Sequence, residues 1–220
     1  SGSGYRLEPG PAEVLTIERL ALHDDAREKD LLCAVRYPKD AAGPLPLVVF
    51  SHGAGGDSRA FSELSAHWAS WGYVVVHPTH SDSVRLRKEQ GEDITDLRKE
   101  MRNIVSKVDL PSRVADIRFI LDSIPEIEKA TGARVDRERI AMAGHSAGAL
   151  TTQVIAGVKV RAARQFGGKG TFLSVNSAGD PRIKAALVIS GQGPGRLLTE
   201  DSWKDLTLPM LVITGSKDTS

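Results

Sequence analysis

The sequence is short of everything that staples a chain, spans a membrane or charges a surface with one sign. It holds one cysteine, Cys33, in 220 residues. A single thiol excludes an intrachain disulfide, and neither a Cys-x-x-Cys pair nor a zinc-ligand spacing exists. No apolar run reaches the ~18–20 residues of a membrane-spanning helix. Lysine plus arginine (29) nearly balances aspartate plus glutamate (28). Neither a basic nucleic-acid surface nor an acidic tail therefore organises the chain. Aromatic residues are 5% of the total, and Trp68 and Trp71 fall on a predicted helix as packing residues, so rings do not announce a substrate. No metal, nucleotide or flavin signature is present, and no cofactor is expected. The chain opens Ser1-Gly2-Ser3-Gly4, a flexible-linker composition without the basic and apolar regions of a signal peptide. What remains is a soluble globular domain whose length suffices for a core without staples. Cytoplasmic residence, or secretion after removal of a signal, fits equally well.

Residues 1–11 read as a flexible N-terminal segment and residues 12–220 as one domain. Residues 14–20 and 30–37 read as two strands of an edge hairpin joined by a polar turn. Residues 45–50 and 73–77 are short, continuous β-branched runs, the pattern of strands covered on both faces. A helix is expected over 59–70, stopped by Gly72. In the charged stretch 81–107, Ile94, Leu97, Met101, Ile104 and Val108 recur at three- and four-residue steps, so part of the stretch reads as an amphipathic helix. A further helix is expected over 111–129, with Pro111 in its first turn. Strands follow at 139–144, 184–190 and 209–215, the last two buried, and the glycine-punctuated stretch 158–180 reads as a long connection. Strands alternating with helices around continuously apolar central strands specify an α/β fold: a mostly parallel sheet with helices on both faces.

Two segments carry chemistry. Gly144-His145-Ser146-Ala147-Gly148 is a Gly-x-Ser-x-Gly pentapeptide with an apolar strand before it and a helix after it. That strand–turn–helix holds a serine hydroxyl above the sheet in a strained conformation, at a helix N-terminus where developing negative charge is favoured. Ser51-His52-Gly53-Ala54-Gly55-Gly56 follows an earlier buried strand. Acyl transfer needs two backbone N–H groups aimed at the forming oxyanion; one comes from the residue after the nucleophile, Ala147, the other from such a Gly-rich loop. A phosphate cradle is excluded by the missing Gly-x-Gly-x-x-Gly and the missing Lys-Ser/Thr. His52 reads as a hydrogen-bonding histidine of the loop rather than a base. Asp218, in Gly215-Ser216-Lys217-Asp218 after the last strand, stands where a carboxylate would orient a histidine.

These three segments resemble the α/β-hydrolase superfamily. Within it the chain is similar to the serine esterase branch that includes platelet-activating-factor acetylhydrolase-like, dienelactone-hydrolase-like and polyester-hydrolase-like enzymes; the nucleophile is serine where true dienelactone hydrolases use cysteine. The resemblance spans residues 12–220. It implies Ser146 as nucleophile, Asp218 as triad acid, and the Ala54 and Ala147 amides as the oxyanion hole. Gly53, Gly55, His145 and Trp203 are candidate substrate contacts, Trp203 because it follows the loop at 195–198 near the expected acyl pocket. No metal ligand is expected.

The superfamily's triad order is Ser…Asp/Glu…His, and no histidine follows Asp218. The six histidines are His23, His52, His67, His77, His80 and His145. His77 and His80 are expected near the catalytic edge but on the wrong loop for the base, His67 in helix packing, and His145 beneath the nucleophile. The expectation is therefore a hydrolase fold lacking its C-terminal strand and helix, with the histidine supplied beyond Ser220, either by a C-terminal fragment after cleavage or by residues not included. The expected function is ester hydrolysis through an acyl-enzyme on Ser146, with a small or polymeric ester as partner and no nucleic acid or membrane span. The alternatives are a catalytically silent binding module and an amidase or peptidase.

Overall fold

The computed structural model describes residues 7–160, 179–195, 197–198 and 200–216. Its strands are β1 (Val14–Asp24), β2 (Lys29–Pro38), β3 (Leu45–Ser51), β4 (Val74–Pro78), β5 (Val135–His145), β6 (Ile183–Ile189) and β7 (Met210–Ile213). They form one sheet in the order β1-β2-β4-β3-β5-β6-β7. β1 and β2 form the antiparallel hairpin, β2 meets β4 antiparallel, and all remaining pairs are parallel. The helices are α1 (Ser62–Ser70), α2 (Val84–Glu89), α3 (Leu97–Asn103), α4 (Leu110–Asp122), α5 (Ile124–Thr131) and α6 (Ala147–Ile155).

The period-two geometry of β3 divides its side chains between two layers. Leu47 and Val49 join a large core with Ile117 and Ile120 of α4, Ile127 of α5 and Val154 and Ile155 of α6. Val48 and Phe50 face the opposite way, into a smaller cluster against Leu64 and Trp68 of α1. Burial on both faces is why β3 and β4 are continuous apolar runs rather than alternating ones.

Several elements depart from the sequence pattern, each for a local reason. Residues 59–61 are a turn, not helix: the Asp57 carboxylate accepts the Arg59 N–H (2.9 Å) and its guanidinium, and Phe61 caps α1 in the left-handed region (φ 56°). The helix expected over 111–129 is two helices meeting at Ser123, because Pro125 lacks an N–H and its ring excludes the Leu121 carbonyl. The stretch 81–107, part of it expected to be an amphipathic helix, is α2, α3 and a 3₁₀ turn (Ile104–Lys107). Gly91 (φ 91°) interrupts it and the Asp96 carboxylate caps α3 anew. Its five apolar residues therefore do not share a face: Ile94, Ile104 and Val108 are buried, whereas Leu97 and Met101 are exposed. β7, expected to be buried, is the outermost strand of the described residues on its side, and Leu211, Val212 and Ile213 are exposed. Residues 8–10, part of the segment 1–11 expected to be flexible, are tied to the end of α1 by Gly10 N–H to Ser70 Oγ (2.7 Å) and by Trp71 Nε1–H to Glu8 O (3.2 Å). Most of the 158–180 connection, residues 161–178, lies outside the described residues, as do residues 1–6 and Asp218.

Candidate active site

β3 and β5 are parallel neighbours, and their register pairs Ser51 with Gly144. The chain leaving each strand therefore emerges at the same sheet edge, where crevices of parallel sheets open. Two residues on, Gly53 stands beside Ser146: a Cβ placed on Gly53 would lie 3.5 Å from Ser146 Cβ and 3.0 Å from His145 Nδ1. The Gly-rich loop and the Gly-x-Ser-x-Gly turn face each other because of this register, although Gly53 and Ser146 are far apart in the chain.

Ser146 has φ 55° and ψ −115°, a conformation that costs a non-glycine residue on the order of 1–3 kcal/mol. Packing on both sides enforces it. A Cβ on Gly144 would meet Gly148 O at 2.2 Å, and one on Gly148 would meet Ser51 O at 1.9 Å. Only glycines let α6 press this closely on the ends of β5 and β3. The Ser146 N–H donates to Ile189 O (3.0 Å), which ties the turn to the end of β6. Ser146 is half-buried, and among the described residues its hydroxyl has no hydrogen-bond partner. Ala147 opens α6, so its amide is one of the helix N–H groups left without an intrahelical acceptor.

The Gly-rich loop is held from below by a buried polar layer that the sequence did not reveal. Arg113 of α4 and Asp82, at 1% and 0% side-chain exposure, pair through two hydrogen bonds of 2.9 and 2.8 Å. Arg113 also donates to the carbonyls of His52 (2.7 Å) and Gly53 (3.3 Å), and Asp82 accepts the Gly55 N–H (2.9 Å). Burial would push the Asp82 carboxyl up, but the Arg113 hydrogen bond outweighs it and holds the group below its ordinary range. His52 is wholly buried; its Nε2 accepts the His80 N–H (3.0 Å), so its Nδ1 carries the proton and donates to Gly53 O (2.6 Å). Burial, then His80 and Arg113, drive its pKa well below the ordinary histidine value. Both ring nitrogens are occupied, which is the loop-fixing role read from the sequence.

His80 sits between Ser51 Oγ (2.9 Å from Nε2) and Asp116 (2.8 Å from Nδ1). These are the distances of a Ser-His-Asp relay. All three residues are at 0% exposure, however, and no substrate carbonyl can reach Ser51. The arrangement joins β3, the loop after β4, and α4. Asp116 also takes Arg27 (2.7 Å) and Lys29 (2.8 Å) from the β1–β2 hairpin. Burial opposes its ionisation, yet the His80 hydrogen bond and the Lys29 ammonium keep the carboxyl far below the usual range. His77 points to the other sheet face, against Phe50 (ring centroids 4.8 Å) and Ser65 (2.5 Å). None of the six histidines hydrogen-bonds the Ser146 hydroxyl.

Of the candidate substrate contacts, Gly53 and His145 lie beside the serine, whereas Gly55 packs against Ile104 and Val84 and gives its N–H to Asp82. The His145 ring packs against Phe61 (centroids 5.2 Å) and beside Gly53. Phe61, 38% exposed, reaches His145 in a way the sequence offered no signal for, because only its left-handed turn brings it there. Trp203 is not gathered. Its 3₁₀ turn (Glu200–Trp203) is bonded to Lys159 beyond the C-terminal end of α6 and packs on the main core. The helix length alone separates it from Ser146 by about 13 Å. A cavity of about 450 Å³ between Trp68, Trp71, Tyr73, Ala141 and Leu187 opens on the α1 face of the sheet, below the edge that bears the serine. Among the described residues, no group of three or more His, Cys, Asp or Glu side chains could hold a metal ion, and no helix is long and apolar enough to cross a membrane.

The sheet order, the flanking helices and the strained serine between β5 and α6 define an α/β-hydrolase fold. The solved structures that resemble it agree. One is assigned as a dienelactone hydrolase from Klebsiella pneumoniae subsp. pneumoniae MGH 78578, with 22% identity and a TM-score of 0.64, covering 94% of this chain and 75% of that one. Another is a ferulic acid esterase from Streptomyces cinnamoneus, with 20% identity and a TM-score of 0.62, covering 94% of this chain and 66% of that one. The chain belongs to the chlorophyllase family, whose model matches residues 10–167. No curated protein sequence matches it.

Proposed function

We propose that this protein is a serine carboxylester hydrolase acting through an acyl-enzyme on Ser146. The observation that carries the reading is the strained φ of Ser146, held by Gly144 and Gly148 opposite a Gly-rich loop. Such strain persists only where surrounding structure over-determines it, and it concentrates at reactive groups. Membership of the chlorophyllase family and a fold shared with a ferulic acid esterase support an ester as substrate.

In this reading Ser146 Oγ attacks the ester carbonyl, and the carbonyl oxygen takes up negative charge between the Ala54 and Ala147 amides. The Oγ proton passes through a base to the leaving alkoxide, and water then cleaves the acyl-enzyme. The base is a histidine, oriented by Asp218. The described end of β7 supports this, since it lies at the same sheet edge as Ser146 through the parallel β5–β6–β7 register. Phe61 and His145 wall one side of the crevice against a short acyl or alcohol group.

The test is hydrolysis of p-nitrophenyl esters together with labelling by a fluorophosphonate. The expected outcome is covalent labelling at Ser146 and loss of both signals in Ser146→Ala. Undiminished turnover in that variant overturns the assignment of the nucleophile, and absence of labelling in the full polypeptide favours a silent binding module.

A further inference from the structure

We propose that Arg113 and Asp82 are positioning residues for catalysis, which set the direction of the oxyanion-binding amide by fixing the plane of the peptide between Gly53 and Ala54. This rests on the reading of Ser146 as nucleophile with Ala54 in the oxyanion hole.

Glycine at 53 and 55 leaves the loop backbone free to adopt either orientation of that peptide, so something else must choose. The Gly53 carbonyl accepts three donors from the protein side: His52 Nδ1–H (2.6 Å), the Gly56 N–H (3.1 Å) and Arg113 Nη2 (3.3 Å). The His52 carbonyl is drawn the same way, to Arg113 Nη1 at 2.7 Å. No peptide here is cis, and in a planar trans peptide the N–H points opposite to the C=O. With Gly53 O aimed at the guanidinium, the Ala54 N–H is aimed away from it, and among the described residues it has no partner. The next amide, Gly55 N–H, is turned inward to Asp82 at 2.9 Å. The pair thus holds two carbonyls and one amide inward and leaves one amide outward.

Flipping the 53–54 peptide would put the Ala54 N–H against the buried cation and present a carbonyl oxygen to the substrate's developing oxyanion. Charge-assisted bonds to Arg113 oppose the first, and like-charge repulsion makes the second anticatalytic. Beyond their own two bonds, Arg113 reaches the His52 and Gly53 carbonyls and, at 3.4 Å, Ser51 Oγ, and Asp82 takes the Gly55 N–H, so most of what the pair still offers goes to the backbone of this loop.

The experiment compares the wild-type full polypeptide with Asp82→Asn, Arg113→Lys and Ser146→Ala. It reads kcat and KM on a p-nitrophenyl ester, and Ki for an alkylboronic acid, whose serine adduct mimics the tetrahedral anion. Removing one oxyanion donor costs about 10²–10³ in kcat, and misdirecting one should cost roughly 10–100-fold. The expected result for the folded Asp82 and Arg113 variants is that loss in kcat, KM within about threefold, and boronate Ki raised by the same factor as kcat falls. Wild-type kcat in either folded variant overturns the proposal, as does a fall in kcat with Ki unchanged. Activity surviving in Ser146→Ala instead overturns the nucleophile reading beneath it. Should the charge variants not fold, the wild-type amides decide. On boronate binding the Ala54 N–H resonance should shift downfield and that of Gly55 should stay. A shift at Gly55 without one at Ala54 overturns the proposal.

Discussion

Gly148 shows how much one residue decides. Its missing side chain admits Ser51 O to 1.9 Å of where a Cβ would stand, and the obstacle is backbone that no rotamer change can move. Gly148→Ala should push α6 away from β3, destabilise by roughly 3 kcal/mol through overpacking and lower the melting temperature by about 6–12 °C. Because the Ser146 turn and the Gly-rich loop meet at this contact, the proposed esterase activity should fall even at temperatures where the variant is folded. A melting curve paired with activity at 20 °C checks both. Gly144 and Gly148 were legible in the sequence because a short motif carries its own backbone requirement. Phe61 and Arg113 were not: an aromatic before a helix and an arginine within one have many uses, and only their neighbours in space assign them.

Among the elements, α4 connects most. Arg113 and Asp116 are three residues apart and so lie on one face, yet both are buried among Val114, Ile117 and Ile120. A sequence reading of amphipathic periodicity places charged residues outside, which is why this helix read as ordinary packing. Asp116 binds His80, Arg27 and Lys29, so α4, the loop after β4 and the edge hairpin are joined at one carboxylate. Removing one partner of such a buried network leaves charges uncompensated, typically costing about 3–5 kcal/mol. Asp116→Ala should show a loss of that size in urea denaturation. The carboxyl's pKa is depressed in the folded state, so its contribution is complete above the unfolded-state value near 4 and is lost as pH falls below it. The gap between wild type and Asp116→Ala should therefore shrink on going from pH 7 to pH 3. The segmented region 81–107 makes the complementary point. Its periodicity was real as a count, but Gly91 and the Asp96 cap break the helix on which it would have meant one face.

At the scale of the whole molecule, three histidines are buried as neutral groups, and they make the fold sensitive to mild acid. The pKa of His77 is pushed down to about 3 by burial and then by Arg36; those of His52 and His80 are lowered by the same first cause. The unfolded chain binds these protons near pH 6.5, so it takes up more protons than the native state below that pH, and stability falls as pH drops. His77 alone should account for about 2 kcal/mol of loss between pH 7.5 and pH 5. His77→Phe should remove that part of the slope in denaturation midpoints measured across this window; an unchanged slope would show that His77 is not its source. Ser146→Ala and the two charge variants test the site, and these pH series test the frame that carries it. By itself the sequence determined the α/β class, the strained Gly-x-Ser-x-Gly turn and the Gly-rich loop, because strand runs, helix periods and strained turns are local and write themselves into consecutive residues. Only the tertiary structure decided that β3 and β5 lie side by side in a register that sets Gly53 against Ser146, that Trp203 belongs to the far end of α6, and that Arg113, Asp82, His80 and Asp116 form one buried polar layer beneath the loop. Those are relations between residues distant in the chain, fixed by which strands pair and which helix covers them.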